Sequence, residues 1–386
     1  MVTRFEFATA QRIIFGSGVI QEIGLLATAL GKRPLIVTGR DSTRGRRLID
    51  LLIAQGLQVQ QFSLQGEPTV ADISSGVAYA RSVNADLVIA FGGGSALDGG
   101  KAIAALVTNQ GDPIQYLEVI GQGRSLEQLP LPCIAIPTTA GTGSEVTRNA
   151  VLSSPEQGLK VSLRHPWMLP RVALVDPELT LELPPKITAS TGLDALTQLI
   201  EPFVSTRSNP MTDALCLEGL RRVAGSLQQA WTSGHDLKAR EGMALASLFG
   251  GLALANSGLG AVHGLAAPLG GLRPVPHGVA CAALLPHVLE TNLQVLRRSQ
   301  AKDPVITKFM ALARILTGTP DAEAEAGVRW IKALVEALQI PRLAQFGLSS
   351  ADLTVIAERA LKASSMQTNP VKLDVVQLTE VLAKAL

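Results

Sequence analysis

The run from Pro137 to Thr147, Pro-Thr-Thr-Ala-Gly-Thr-Gly-Ser-Glu-Val-Thr, offers five hydroxyls and two glycines in eleven residues and little to bury. It follows the apolar segment Leu131 to Ile136, so it reads as a loop at a strand end. Its backbone N–H groups and Ser/Thr side chains can hold phosphate or ribose oxygens. The competing reading is an ordinary turn with helix-capping hydroxyls. A second cluster favours the first reading. The run Gly92-Gly93-Gly94-Ser95-Ala96-Leu97-Asp98-Gly99-Gly100-Lys101 closes another apolar segment, Leu87 to Phe91, and would open a helix with its first N–H groups free for an anion. Two such loops point to one dinucleotide. The GxGxxG fingerprint is absent, since Gly16-Ser17-Gly18 is followed by Val19-Ile20-Gln21 and Gly141-Thr142-Gly143 by Ser144-Glu145-Val146.

A second chemistry lies further along. Three of the five histidines, His263, His277 and His287, fall in one 25-residue window. An unpaired imidazole in the glycine-rich, apolar surroundings of His263 and His277 is costly, and a metal ion would satisfy it. His287 reads more simply as a packed core histidine. Asp194 is the third ligand candidate, an acid in the apolar first turn of a helix, with Gln198 one turn later on the same face. The alternative for Asp194 is a helix-start carboxylate paired with the macrodipole. Two imidazoles and one carboxylate would leave positions open for substrate and water, as a catalytic site requires.

These groups need elements to place them. Up to about Pro184 short apolar runs alternate with helical patterns: Ile13 to Phe15, Leu35 to Thr38, Leu57 to Leu64, Leu87 to Phe91, Cys133 to Ile136 and Val172 to Val175. That rhythm predicts a parallel sheet covered by helices, with ligands at the carboxyl ends of its strands and a cleft beside a second domain. After Leu183-Pro184-Pro185 the spacing becomes helical throughout, with many Ala and Leu, which predicts an all-α domain over 184–386 following an α/β domain over 1–183. Lys and Arg total 34 against 32 Asp and Glu, with no long basic run, so neither nucleic acid nor a membrane surface is the expected partner. Cys133, Cys216 and Cys281 sit far apart in apolar surroundings and read as buried thiols, neither a disulfide framework nor a cysteine metal site, in a reducing cytoplasm. The N-terminus shows no secretory pattern. Met243 to Val262 carries no charge over about 20 residues, the length of a membrane span. Gly250, Gly251, Asn256, Ser257, Gly258 and Gly260 argue instead for one fully buried helix.

Taken together, Gly92-Gly93-Gly94-Ser95 with Asp98 and Lys101, the Pro137 to Thr147 loop, the Gly192 to Glu201 segment, and His263 with Pro276-His277-Gly278 and Leu285-Pro286-His287 resemble the iron-containing alcohol dehydrogenase family over essentially the whole chain. The resemblance implies a Rossmann-like dinucleotide-binding domain plus a helical metal-binding domain, the plan shared with dehydroquinate synthase. It also implies NAD(P)-linked interconversion of small alcohols and aldehydes or ketones, and a dimer or larger homo-oligomer. By motif position it places cofactor contacts at Gly94, Ser95, Asp98, Thr138, Thr139, Thr142, Ser144, Asn149, Lys160 and Leu179.

Three departures stand out. The family commonly has a histidine where this chain has Gln198, so the fourth ligand becomes an amide oxygen or is lost, and the ion is Fe2+ or Zn2+. A second common histidine, four residues after His263, is Ala267 here, which removes a proton-relay group. The strand Leu35 to Thr38 usually ends in an aspartate that holds the ribose of NAD, whereas this chain has Gly39-Arg40, followed by Asp41, Ser42, Arg44, Arg46 and Arg47. Room at Gly39, with donors from Arg40 and Ser42, predicts NADP, with NAD as the alternative if the arginines form a solvated helix face or Asp41 takes the ribose. Maleylacetate-type reduction, a dehydroquinate synthase-like metal lyase, and a cofactor-binding homologue that has lost activity are the competing functions.

Overall fold

The computed structural model describes residues 4–299 and 304–386, apart from the side chains of Ser42 and Ser299. The chain divides into two compact units, one formed by Ala8–Thr139 with Gly143–Leu181 and the other containing Ala140–Thr142 and Glu182–Leu386.

The first unit is built on a parallel sheet of six strands. These are β1 (Arg12–Phe15), β2 (Pro34–Thr38), β3 (Gln60–Ser63), β4 (Leu87–Gly92), β5 (Cys133–Pro137) and, after a hairpin of β6 (Asn149–Ser154) and β7 (Leu159–Arg164), β8 (Val172–Val175). The order across the sheet is β1-β8-β5-β4-β2-β3. Alternate residues face opposite ways along each strand, and although the central strands are buried at nearly every position, successive residues pack into different clusters. Ile36, Ile89, Ile134 and Ile136 pack with α1 (Ile23–Thr28) and α2 (Arg46–Ile53) on one face. Leu35, Val37, Val88 and Ala135 pack with α3 (Val70–Ser82) and α4 (Gly94–Val107) on the other. A fully buried Ile or Leu contributes about 1.5–3 kcal/mol, so slipping any of these strands by one residue would forfeit several such terms at once. The doubly covered parallel sheet is the expected one. Its strands coincide with the apolar runs, except that β3 is shorter than the run Leu57 to Leu64. The antiparallel pair β6 and β7 was not anticipated.

Register aligns the strand ends that matter. Thr38 lies opposite Phe91 and Gly92 opposite Pro137, so β2, β4 and β5 end in a row. The loops after them therefore stand side by side at the carboxyl edge, where open α/β sheets bind ligands.

The second unit is helical: α5 (Pro185–Val204), α6 (Pro210–Thr232), α7 (Leu237–Ser257), α8 (Ala261–Leu272), α9 (His277–Ser299), α10 (Pro304–Thr317), α11 (Ala324–Ala337), α12 (Leu353–Ala360) and α13 (Val375–Ala385). Pro185 at the first position of α5 is pre-set for a helix start. From Gly192 to Val204 every residue of α5 is buried, with α6, α7 and α9 packed around it. Asp194, Gln198 and Glu201 recur at helical spacing and so share a face.

The stretch Met243 to Val262 is not one helix. It breaks after Ser257, where Gly258 takes φ 74°, and α8 leaves α7 at 98°. A left-handed φ is open to glycine at little cost, which is why the turn falls there. Among the described residues, α9 is one helix long and apolar enough to cross a membrane, and 78% of its apolar window is buried within the protein.

Candidate active site

The glycine run after β4 becomes the start of α4. Gly93 caps the helix with no side-chain bond, and the N–H groups of Ala96 and Leu97 return to its carbonyl. Gly94 and Ser95, in the first turn, have no intrahelical acceptor and carry the positive end of the helix dipole. The Pro137 loop lies against this turn, since Thr138 donates its N–H to the Gly92 carbonyl at 2.9 Å. A Cβ on Gly93 would stand 3.3 Å from the Thr139 methyl, so Thr139 flanks the same opening.

The other residues placed here by motif position have visible partners. Asp98 accepts from the Ser144 hydroxyl through one oxygen and from the Val151 N–H at 2.9 Å through the other, and it lies 3.2 Å from the Lys101 ammonium. Lys101 is buried and donates at 2.9 Å to the Ser144 carbonyl and the Thr147 hydroxyl, and also to the Asn149 carbonyl. These bonds tie α4, the Ser144–Thr147 turn and β6 into one lattice. Lys160 pairs with Glu67, Leu179 packs against the α1/α2 face of the sheet, and Thr142 belongs to the helical unit. Glu145 is buried beside this lattice with one oxygen unpartnered, and burial pushes its carboxyl up to about 7.

Past the end of β2, a Cβ on Gly39 would meet nothing within 4 Å. Arg40 is exposed and donates to the Gln65 carbonyl at 3.0 Å. Asp41 caps the following turn, accepting from the Thr43 N–H and hydroxyl. Those bonds and Arg44 lower its pKa. Arg44, Arg46 and Arg47 are exposed, and the Ser42 side chain lies outside the described residues.

In the helical unit, three elements deliver one cluster. Asp194 Oδ1, from α5, lies 3.6 Å from Nε2 of His263 near the start of α8 and 3.6 Å from Nε2 of His277 at the start of α9. Both distances are too long for a hydrogen bond. The same Asp194 oxygen and the Gln198 amide oxygen are buried with no hydrogen-bond partner. Unsatisfied buried acceptors of this kind cost about 1–3 kcal/mol each, more when charged, unless something electropositive joins them.

The histidines are held for that purpose. Glu201, one helical turn beyond Gln198, lies 2.6 Å from His263 Nδ1 through one oxygen and accepts the Val262 N–H at 2.7 Å through the other. This places a proton on Nδ1 and points Nε2 toward Asp194, the arrangement that orients imidazole ligands in metal sites. Gly260 permits the approach, since a Cβ there would lie 2.8 Å from the Glu201 carboxylate. Burial opposes charge on His263, yet Cys281, Glu201 and Asp194 outweigh it and raise its pKa well above the ordinary value. Cys281 and Asp194 overcome burial at His277 and raise it to about 9. Burial also opposes ionisation of Asp194, but the two rings and the Gln198 amide hold its carboxyl below the usual range. The negative groups here draw positive charge strongly, and a divalent cation fits this donor set.

Asp194, His263 and His277 thus converge as the sequence predicts, with Gln198 beside them, while His287 lies outside the cluster and burial lowers its pKa. Two residues escaped the sequence reading. Glu201 was seen only as the end of a motif. Cys281, read as a packed thiol away from any metal site, instead lies within the group, every ligand atom of Asp194, His263, His277 and Cys281 being within 4.8 Å of the others. Its spacing of four from His277 on α9 was the available signal.

Comparison with known proteins agrees with both halves. Residues 10–177 match the iron-containing alcohol dehydrogenase family, and residues 188–386 match the C-terminal part of the Fe-containing alcohol dehydrogenase family. The chain is 37% identical to alcohol dehydrogenase 4 of Saccharomyces cerevisiae over 96% of each protein. It is 37% identical to the 1,3-propanediol dehydrogenase of Citrobacter freundii over 99% of this chain and 98% of that one. The crystal structure of a 1,3-propanediol oxidoreductase superposes with a TM-score of 0.92 at 34% identity over the full length of both chains. An anion-ready strand edge and a cation-seeking helical cluster are what a nicotinamide cofactor and a divalent metal need, and this chain belongs to the iron-containing alcohol dehydrogenase family, oxidoreductases acting on the CH–OH groups of small molecules.

Proposed function

We propose that the chain transfers hydride between NADP(H) and a short aliphatic alcohol or aldehyde, with Asp194, His263 and His277 holding the divalent ion. The observation that carries this reading is the buried, unpartnered Asp194 Oδ1 facing two imidazoles, one of which is already oriented by Glu201, with the Gln198 amide oxygen one turn along α5 also buried and unpartnered. When bound, the ion supplies Lewis-acid polarisation of the substrate oxygen and stabilisation of the alkoxide. Asp194 contributes the charge, His263 and His277 the directional lone pairs, and Glu201 the fixed tautomer. Ala267 carries no proton-transfer group, so no side chain at that position relays the proton exchanged between the alcohol hydroxyl and solvent. The single test is to strip the purified protein with a chelator and follow cofactor absorbance with an alcohol and with an aldehyde. Steady turnover that disappears on chelation and returns with Fe2+ or Zn2+ is expected, and turnover indifferent to chelation would overturn the reading.

The dinucleotide is assigned to the strand edge, where the Gly94 and Ser95 amides would receive its phosphates, with Thr138, Thr139 and Ser144 in the neighbouring loop; Thr142 is assigned to the cofactor by motif position alone. Asp98, Asn149 and Lys160 frame that loop, and Leu179 adds apolar contact. NADP is favoured at Gly39 and Arg40 by the open space, the absence of a strand-end carboxylate and the commitment of Asp41 to Thr43, with Ser42 adjoining. The names of the 1,3-propanediol relatives support a short substrate. A homo-oligomer is supported by β1, an edge strand that pairs only with β8 among the described residues. Three free buried cysteines support the cytoplasm.

A further inference from the structure

We infer that Cys281 is a ligand of the metal, a thiolate that takes up the coordination lost with histidine at position 198 and biases the site toward zinc. The inference deepens the metal reading above and rests on it.

Cys281 is fully buried on α9, one turn beyond His277 and on the same face. Its sulfur lies 3.6 Å from His277 Nε2 and 3.8 Å from His263 Nε2. Asp194 Oδ1 lies 3.6 Å from each of those same nitrogens. Zinc bonds of about 2.0–2.1 Å to nitrogen or oxygen and about 2.3 Å to sulfur, set tetrahedrally, separate neighbouring ligand atoms by roughly 3.3–3.6 Å. Four of the six edges between these atoms are thus within a few tenths of an ångström of those of a coordination tetrahedron, and the other two are no longer than 4.8 Å. Thiol–imidazole hydrogen bonds account for the sulfur's distance from the two ring nitrogens, but they leave the buried Asp194 oxygen unanswered, whereas an ion shared by all four atoms satisfies the whole group.

Charge points the same way. Asp194, two imidazoles and an amide give the ion a single anionic donor atom, since the Glu201 carboxylate stands behind the His263 ring; a thiolate would add a second anionic donor in direct contact with the ion. On coordination the thiol gives up its proton to solvent and the sulfur donates the lone pair so freed. Soft sulfur in the donor set would favour zinc over ions that prefer harder ligands.

The test is reconstitution of the full-length, metal-stripped protein with cobalt(II), read by absorption spectroscopy and by metal content. One cobalt per chain with a near-ultraviolet thiolate-to-cobalt charge-transfer band is expected. Cys281→Ser should lose the band, keep its thermal transition, and bind zinc at least tenfold more weakly. Failure to bind cobalt at all would overturn the metal reading itself. Cobalt bound without the band would overturn the role of Cys281 alone, as would a band that survives in Cys281→Ser. If Cys281→Ser does not fold, the double variant Cys133→Ala/Cys216→Ala decides: the band kept assigns it to Cys281, and the band lost removes it.

Discussion

Asp98 and Asp194 are both carboxylates set on helices with little exposure, 15% and 2% of the side chain, yet they use their oxygens in opposite ways. Asp98 has given each oxygen a donor within the protein and has Lys101 beside it. Asp194 keeps one oxygen buried and unanswered. The first arrangement is what a loop needs in order to keep its shape. The second is tolerable only where a cation completes it, so the two acids mark scaffold and chemistry in a way that their burial alone does not.

Substituting each acid separates the two roles most sharply. Asp194→Ala should lower kcat/KM by about a thousandfold or more, because two neutral imidazoles hold a divalent ion poorly. The metal-free midpoint of denaturation should fall only slightly, because the carboxylate that the two rings hold ionised is lost together with the cost of burying it. Wild-type metal content and turnover in this variant would mean that Asp194 is misassigned. Asp98→Asn should do the reverse, retaining the metal and losing about 3–4 kcal/mol of stability, because an amide NH2 would face donors that now find acceptors. Denaturant titration with metal analysis distinguishes the two outcomes.

Glu145 extends the comparison to pH. Its folded pKa of about 7 lies above the ordinary 4.5, so the folded state retains a proton that the unfolded state releases. Stability should therefore fall as pH rises from about 4.5 to 7, by up to about 3 kcal/mol, and level off above. Glu145→Gln should abolish that slope, and parallel stability–pH curves for the two proteins would contradict the assignment. A smaller effect is expected at the β2 end. Gly39→Asp meets no obstacle to its side chain, and it should reverse a preference for NADPH over NADH of roughly tenfold, about 1.4 kcal/mol. Equal efficiency of the two cofactors in the unmodified enzyme would already remove the basis for NADP. The smallest expected change is a severalfold tightening of metal in Gln198→His, measured as a dissociation constant at one pH, since imidazole is a better donor than an amide oxygen to late first-row ions. No tightening would place residue 198 outside the coordination sphere, which would strengthen the role of Cys281.

What could be read from the sequence was whatever local pattern encodes. The apolar runs of β2, β4 and β5 and the glycines that follow them are contiguous, and Asp194 and Gln198 share a face by spacing alone. The hairpin of β6 and β7 stands apart from the expected strands: Leu159-Lys160-Val161-Ser162-Leu163-Arg164 alternates apolar with polar, a weaker signal than the continuous apolar runs of doubly covered strands. The break between α7 and α8 was masked by the uncharged composition of Met243 to Val262, and only the positive φ of Gly258 reveals it. Glu201 and Cys281 became visible only when α5, α8 and α9 met, since a carboxylate serving a ring 62 residues away leaves no trace in spacing.

The Glu201 carboxylate closes the first turn of α8 with one oxygen and steadies an imidazole with the other. A helix start and a ligand ring are thus fastened to the same two atoms. Any force that pulls on the ring tightens or slackens that turn, so the Val262 amide should exchange its hydrogen for deuterium more slowly when the cluster is filled, making one backbone proton a gauge of whether the enzyme carries its metal.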